Sequence, residues 1–170
     1  WSNTNGQYNC ALGDRALYAN TTGGNNIALG VDALENNVSG NWNIAIGLSS
    51  GAQNITGLRN LFIGAYANAG ADGLTNAIAI GHRAYVTTSN SMVLGSINGI
   101  NGALVSTNVG IGTTAPTATL DVAGTLNASA WKTAAMSDNG YAEMGGVLLE
   151  WGSVNYNSNT PLSITFSKVF

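Results

Sequence analysis

The chain has 170 residues, of which five are basic and eight acidic, with a net charge of −3 and 45% hydrophobic residues. Five scattered cations cannot neutralise a run of phosphates, which argues against a nucleic-acid surface, and no apolar run reaches the ~18 residues of a membrane-spanning segment. So much apolar content at so low a charge argues against disorder, and Cys10, the one cysteine, rules out an intrachain disulfide framework.

Periodicity organises the rest. From Tyr8 the chain reads "YNCALGDRAL", then "NNIALGVDAL" from Asn25, "NWNIAIGLSS" from Asn41, "NLFIGAYANAG" from Asn60 and "NAIAIGHRAY" from Asn76. The glycines closing these triplets, Gly13, Gly30, Gly47, Gly64 and Gly81, stand 17 residues apart; Gly95 follows after 14 and Gly112 after another 17. Repetition at a fixed short period is the mark of a solenoid, in which single coils bury little and stacked coils share one core.

Each "apolar–small–apolar–Gly" unit alternates with period two, which predicts short strands over 10–12, 27–29, 44–46, 61–63, 78–80 and 92–94. The Gly suits a corner with positive φ. A second small-residue strand and a polar turn such as "NTTGG" or "NNVSG" would complete each coil. At ~4.8 Å per coil, the coils up to Gly95 would stack over roughly 25–30 Å. The flanking aliphatics are expected inside: Ile44 and Ile46 buried, with Ile27, Ile44, Leu61 and Ile78 stacked in register. Cys10 falls in that same column and reads as a core hydrophobe. The Asn column (Asn9, Asn26, Asn43, Asn60) is placed to bond along the stack or to satisfy turn backbone.

Catalytic chemistry finds little support. Cys10 and His82, the only thiol and imidazole, lie more than four coils apart, or ~20 Å along a stack, too far for a nucleophile–base pair. Zinc needs several closely set ligands, and the eight carboxylates form no D-x-D-x-D loop. Arg15 and Asp32 share a column on adjacent coils and are expected to form a surface ion pair. "GIGTTA" from Gly110 lacks the spacing and the following helix of a dinucleotide loop. The sequons at Asn20, Asn37 and Asn54 fall in polar turns and read as chance in a chain with 23 Asn. No catalytic, cofactor-binding or metal-binding residue is assigned, and no cofactor is expected.

The repeats "NNIALG", "NWNIAIG", "TNAIAIG" and "SNSMVLGS" resemble the head repeats of trimeric autotransporter adhesins, the YadA-like head, over roughly residues 8–97. The resemblance implies an all-β fold: a left-handed parallel β-roll of 17-residue repeats, three copies packed side by side as a homotrimer. Ala28 and Ala45 would then face a neighbouring chain. The stretch "NVGIGTTAPTATLDVAG" is similar to a connector of phage and prophage tail-fibre proteins. "NGYAEMGGVLLEWGSVN" with "ITFSKVF" resembles the small antiparallel β domain at the distal tip of such fibres, here without its last strands. The expected organisation is a head over 1–97, a connector over 98–130 and a tip over 131–170, read as a fragment of a longer chain.

Together these readings point to a non-catalytic attachment fibre on a virion tail or another extracellular particle. Its partners would be identical chains, the rest of a tail fibre or baseplate, and a bacterial surface glycan or protein receptor. A cell-anchored adhesin on a bacterial surface and a purely structural spacer are the alternatives. Aromatic and Arg side chains suit sugar faces and interface centres. The head offers Trp42 with Arg59 one coil on, and Tyr66 in the Arg15/Asp32 column. The tip offers Tyr141 and the loop residues Asn155, Tyr156 and Asn157, with Trp151 expected in the small core.

Overall fold

The computed structural model describes residues 2–125 and the backbone of 139–144 and 147–152. The chain divides into two compact units, Trp1–Thr125 and Leu126–Phe170. In the first, six three-residue strands form one parallel sheet: β1 (Cys10–Leu12), β2 (Ile27–Leu29), β3 (Ile44–Ile46), β4 (Leu61–Ile63), β6 (Ile78–Ile80) and β8 (Met92–Leu94). Each lies one coil above the last, in the register Ile27↔Ile44↔Leu61↔Ile78↔Met92. The described residues are therefore an all-β solenoid followed by short β pairs. The sheet register is kept through the 14-residue step, because the shortening falls between Val86 and Met92.

The opposite wall is less regular than two full strands per coil. Only β5 (Asn68–Ala69) and β7 (Tyr85–Val86) pair there, also in parallel; the earlier coils cross that side as turns. Beyond the solenoid, β9 (Val109–Ile111) pairs in parallel with β10 (Leu120–Val122). In the second unit β11 (Asn139–Met144) and β12 (Val147–Gly152) form an antiparallel pair.

The sheet faces the other way from the sequence expectation. Ala28, Ala45, Phe62 and Ala79, the middle residues of their strands, are fully buried inside a single chain. Ile46 is 38% exposed, Ile27 37% and Leu12 72%, and Cys10 is exposed, while Ile44 is half-buried. Thus Ile44 and Ile46 are not core, Cys10 is not a core hydrophobe, and Ala28 and Ala45 do not face a neighbour. The stacked register holds, whereas the inward face is the other one. The cause is the bore of the coil. The facing column is Ala16, Ala33, Ala67 and Ala84 beside Leu17 and Leu34, all buried. Between walls this close only one small side chain per strand fits, and period-two alternation then sends both flanking aliphatics outward.

Two adjacent coils depart from this and compensate each other. Phe62 is fully buried where the other coils have Ala or, in β8, Val93, and one coil earlier Gly51 stands where Leu17 and Leu34 stand. A Cβ on Gly51 would come 2.7 Å from Phe62 Cδ2 and 2.9 Å from Leu34 Cδ2. The ring occupies the volume that the leucine column leaves open.

Two amide columns fill the polar part of the interior. Oδ1 of Asn9, Asn26, Asn43 and Asn60 each accepts the main-chain N–H one coil on, at 2.9 Å, from Asn26, Asn43, Asn60 and Ala77. Their Nδ2 groups donate to turn carbonyls, Asn43 to Gly57 at 2.8 Å for example. In the second column Asn37 Nδ2 donates to Asn20 Oδ1 at 2.9 Å and Asn54 Nδ2 to Asn37 Oδ1 at 3.0 Å. These are the three sequon asparagines. All are buried, and they recur every 17 residues because the stack uses them, so chance is not their explanation.

The polar turns are knitted by converging donors. The N–H groups of Val38, Ser39 and Gly40 all point to the Ile55 carbonyl, at 2.8, 3.2 and 3.4 Å. At the next turn a carboxylate takes over this part. Asp72 Oδ1 accepts from Ile55 and Thr56 N–H at 2.8 Å each, and Oδ2 accepts from the Thr56 hydroxyl at 3.0 Å. Partial burial pushes the Asp72 carboxyl up. The bonds from the Thr56, Ile55 and Gly73 backbone and the Thr56 hydroxyl outweigh it and hold the pKa below the ordinary carboxylate value.

Candidate functional site

The outward side of the sheet is aliphatic at every strand, and two columns of left-handed corner residues border it. Before the strands stand Asn25, Trp42, Arg59, Asn76 and Asn90, with φ between 54° and 58°. After the corner glycines stand Arg15, Asp32, Ser49, Tyr66 and Arg83, with φ between 50° and 60°. Asn accepts this conformation readily, whereas other L-residues adopt it at a cost of about 1–2 kcal/mol. Trp, Arg and Tyr are present there in spite of that cost. The glycines are needed: Gly47 has φ 128°, and a Cβ on it would lie 2.7 Å from the Gly64 carbonyl carbon.

Column sharing brings the expected Trp42–Arg59 pair together and adds a Tyr66–Arg83 pair that the sequence reading had not named. Arg59 Cζ lies 5.4 Å from the centre of the Trp42 ring, which is 52% exposed. Arg83 Cζ lies 4.7 Å from the Tyr66 ring centre, and the His82 ring meets Tyr66 edge-on at 6.1 Å. At these distances a guanidinium is attracted to the negative ring face. The expected ion pair forms, with Arg15 Nη2 2.8 Å from Asp32 Oδ1. It extends to Glu35, 3.0 Å from Nη1. Asp32 Oδ1 lies close to Nη2 without a well-aligned hydrogen bond. Contact with Asp32, then the charge of Glu35, raises the Arg15 pKa above its ordinary value.

The sequence reading missed a groove at the last full coil. The loop after β8 folds back so that Asn101 Nδ2 donates to the Tyr66 carbonyl at 2.7 Å, while the Asn101 carbonyl accepts from Arg83 Nη1 at 2.8 Å. Between this loop and the corner lies a groove of about 370 Å³, lined by His82, Arg83, Ser96 and residues 102–105. Arg83 shares a column with Tyr66, so the 17-residue spacing carried half of this arrangement; the fold-back of residues 98–107 follows no period.

The structure does not join the head candidates into one site. Trp42 and Arg59 sit at the corner entering the sheet, and Tyr66 sits at the corner leaving it. Tyr141 lies on β11, its Cα paired with that of Glu150 on β12. Asn155, Tyr156 and Asn157 lie outside the described residues. The Trp151 backbone lies on β12, and its expected core packing falls outside the side chains described. Comparison of the chain with protein-family models, with curated proteins and with solved structures gave no match.

Proposed function

We propose that the chain is a segment of a homotrimeric extracellular fibre that attaches, without catalysis, to a glycan or protein receptor on a bacterial surface. The observation that carries this reading is the outward face of the six-stranded sheet. Leu12, Ile27, Ile46, Met92 and Leu94 are each at least 37% exposed on this outward face. A continuous apolar surface of this kind marks an association face. Because it repeats identically with height, it is best covered by the same face of identical copies around one axis. The Trp42, Arg59, Tyr66 and Arg83 corners would then flank the seam between chains. Repeats resembling adhesin heads and a connector resembling those of tail fibres support the same reading.

Recognition is assigned to residues 131–170, whose resemblance to a fibre tip implies variable polar segments apart from the stacked core. "VNYNSNTP", from Val154 to Pro161, combines an aromatic, amides and a turn-fixing Pro, a composition suited to sugar hydroxyls and ring faces. Tyr156→Ala is expected to weaken attachment to cells more than Trp42→Ala, both variants being checked as folded trimers. Equal attachment by a trimeric version lacking 131–170 would remove recognition from this end and leave the described part as a spacer or a head-binding adhesin.

A further inference from the structure

We propose that the groove at the last full coil, between the His82–Arg83 corner and residues 102–105, is a carboxylate site for a small acid with an apolar face, such as a hexuronic acid. Of the described arginines, Arg15 is spanned by two carboxylates. Arg83 is half-buried and has no carboxylate within ion-pair distance among the described residues. One of its guanidinium N–H groups is given to the Asn101 carbonyl, and Tyr66 supports one face of the plane. A guanidinium fixed this way and lacking an anion keeps most of its fork for a planar, two-oxygen acceptor, and a carboxylate matches that geometry.

The loop backbone packs closely against the guanidinium. Gly102 has φ 71°, a left-handed conformation that favours glycine, and it packs directly against the end of the Arg83 guanidinium. Beside it, the exposed His82 imidazole offers a second donor. The other wall is apolar: Leu104 is 88% exposed and Val105 70% exposed, in a loop whose Ala103 is buried. The main-chain N–H groups of Leu104 and Val105 have no acceptor among the described residues. Cation, imidazole, free amides and an aliphatic wall around about 370 Å³ suit one acidic ring of monosaccharide size. The site is independent of tip recognition and would stand if attachment proved to lie wholly within 131–170.

The test uses the full chain and three probes in calorimetric or NMR titration: glucuronate, glucose and inorganic phosphate. Glucuronate is expected to bind saturably, glucose not measurably, and phosphate more weakly than glucuronate for want of apolar contact. Arg83→Gln should weaken glucuronate about ten-fold or more, the loss of one charge-assisted pair. Because Arg83 also holds the loop, Leu104→Glu is the companion variant. It changes an 88% exposed side chain, so melting should not move, yet its charge at the mouth should repel the probe. Binding of glucuronate no better than glucose would overturn the proposal, as would affinity unchanged in both variants. Phosphate binding as tightly as glucuronate would overturn the ligand class.

Discussion

Single residues decide how a 17-residue coil closes, and the Phe62–Gly51 exchange shows this most plainly. Phe62→Ala should leave a cavity and cost about 3–5 kcal/mol, read by denaturant unfolding. Gly51→Leu alone should also destabilise, since its Cβ would already press on the ring at 2.7 Å. Combined, the two changes rebuild the Ala-over-Leu packing seen between Ala45 and Leu34. The left-handed φ is no obstacle, because Leu17 and Leu34 hold φ 52° and 50° in the same column. The double variant is therefore expected to be more stable than Phe62→Ala. Simple additivity of the two losses would refute the compensation.

Asp72 gives a second test at this scale. Its pKa is lowered in the folded chain, so its stabilisation is complete above the unfolded value of about 4 and is lost as pH falls through the lower folded value. The melting temperature of Asp72→Asn should fall short of the parent's at neutral pH, and the gap should shrink below about pH 4. A gap independent of pH would mean that the carboxylate charge is irrelevant to the turn.

Among the elements, the Asn columns do what a second strand does in a wider solenoid. Asn43 accepts the Asn60 N–H and donates to the Gly57 carbonyl, both in the interior. Asn43→Ala orphans both groups and is expected to cost about 1–3 kcal/mol for each. Asn36→Ala removes one exposed bond, to the Ala52 carbonyl, and should be nearly silent. Comparable losses at the two positions would show that burial of the amide column contributes nothing. The outward strand residues behave differently again. Ile44 is only half-buried in one chain, so the full large-to-small penalty at this position should appear only in an assembly that covers the sheet.

For the whole molecule, that dependence separates the trimer from the lone solenoid. If three outward faces meet around an axis, Ile44→Lys with Ile46→Lys should dissociate the trimer and leave the interior columns intact. Sedimentation or light scattering would report mass, and far-UV circular dichroism the retained sheet. A parent chain that runs as a stable monomer would sink the trimeric fibre and leave the aliphatic face unexplained. If the double-lysine variant stays trimeric, the association face lies elsewhere on the coil.

The sequence by itself determined the period, the strand positions, the register and the corner glycines. All of these follow from local alternation and a fixed repeat, which become visible once two or more coils are aligned. It also determined which side chains share a column, and so Arg15 with Asp32 and Trp42 with Arg59. It could not determine which face of a three-residue strand turns inward. Alternation alone permits one residue inside or two, and the choice rests on how far away the opposite wall stands. Only the tertiary structure, with alanine and leucine facing the sheet, decided that Ala45 goes in and that Ile44 and Ile46 turn outward. The same limit hid the amide role of Asn20, Asn37 and Asn54, whose partners lie one coil away, and the groove at Arg83. That groove depends on an aperiodic loop returning to a corner 18 residues earlier in the chain.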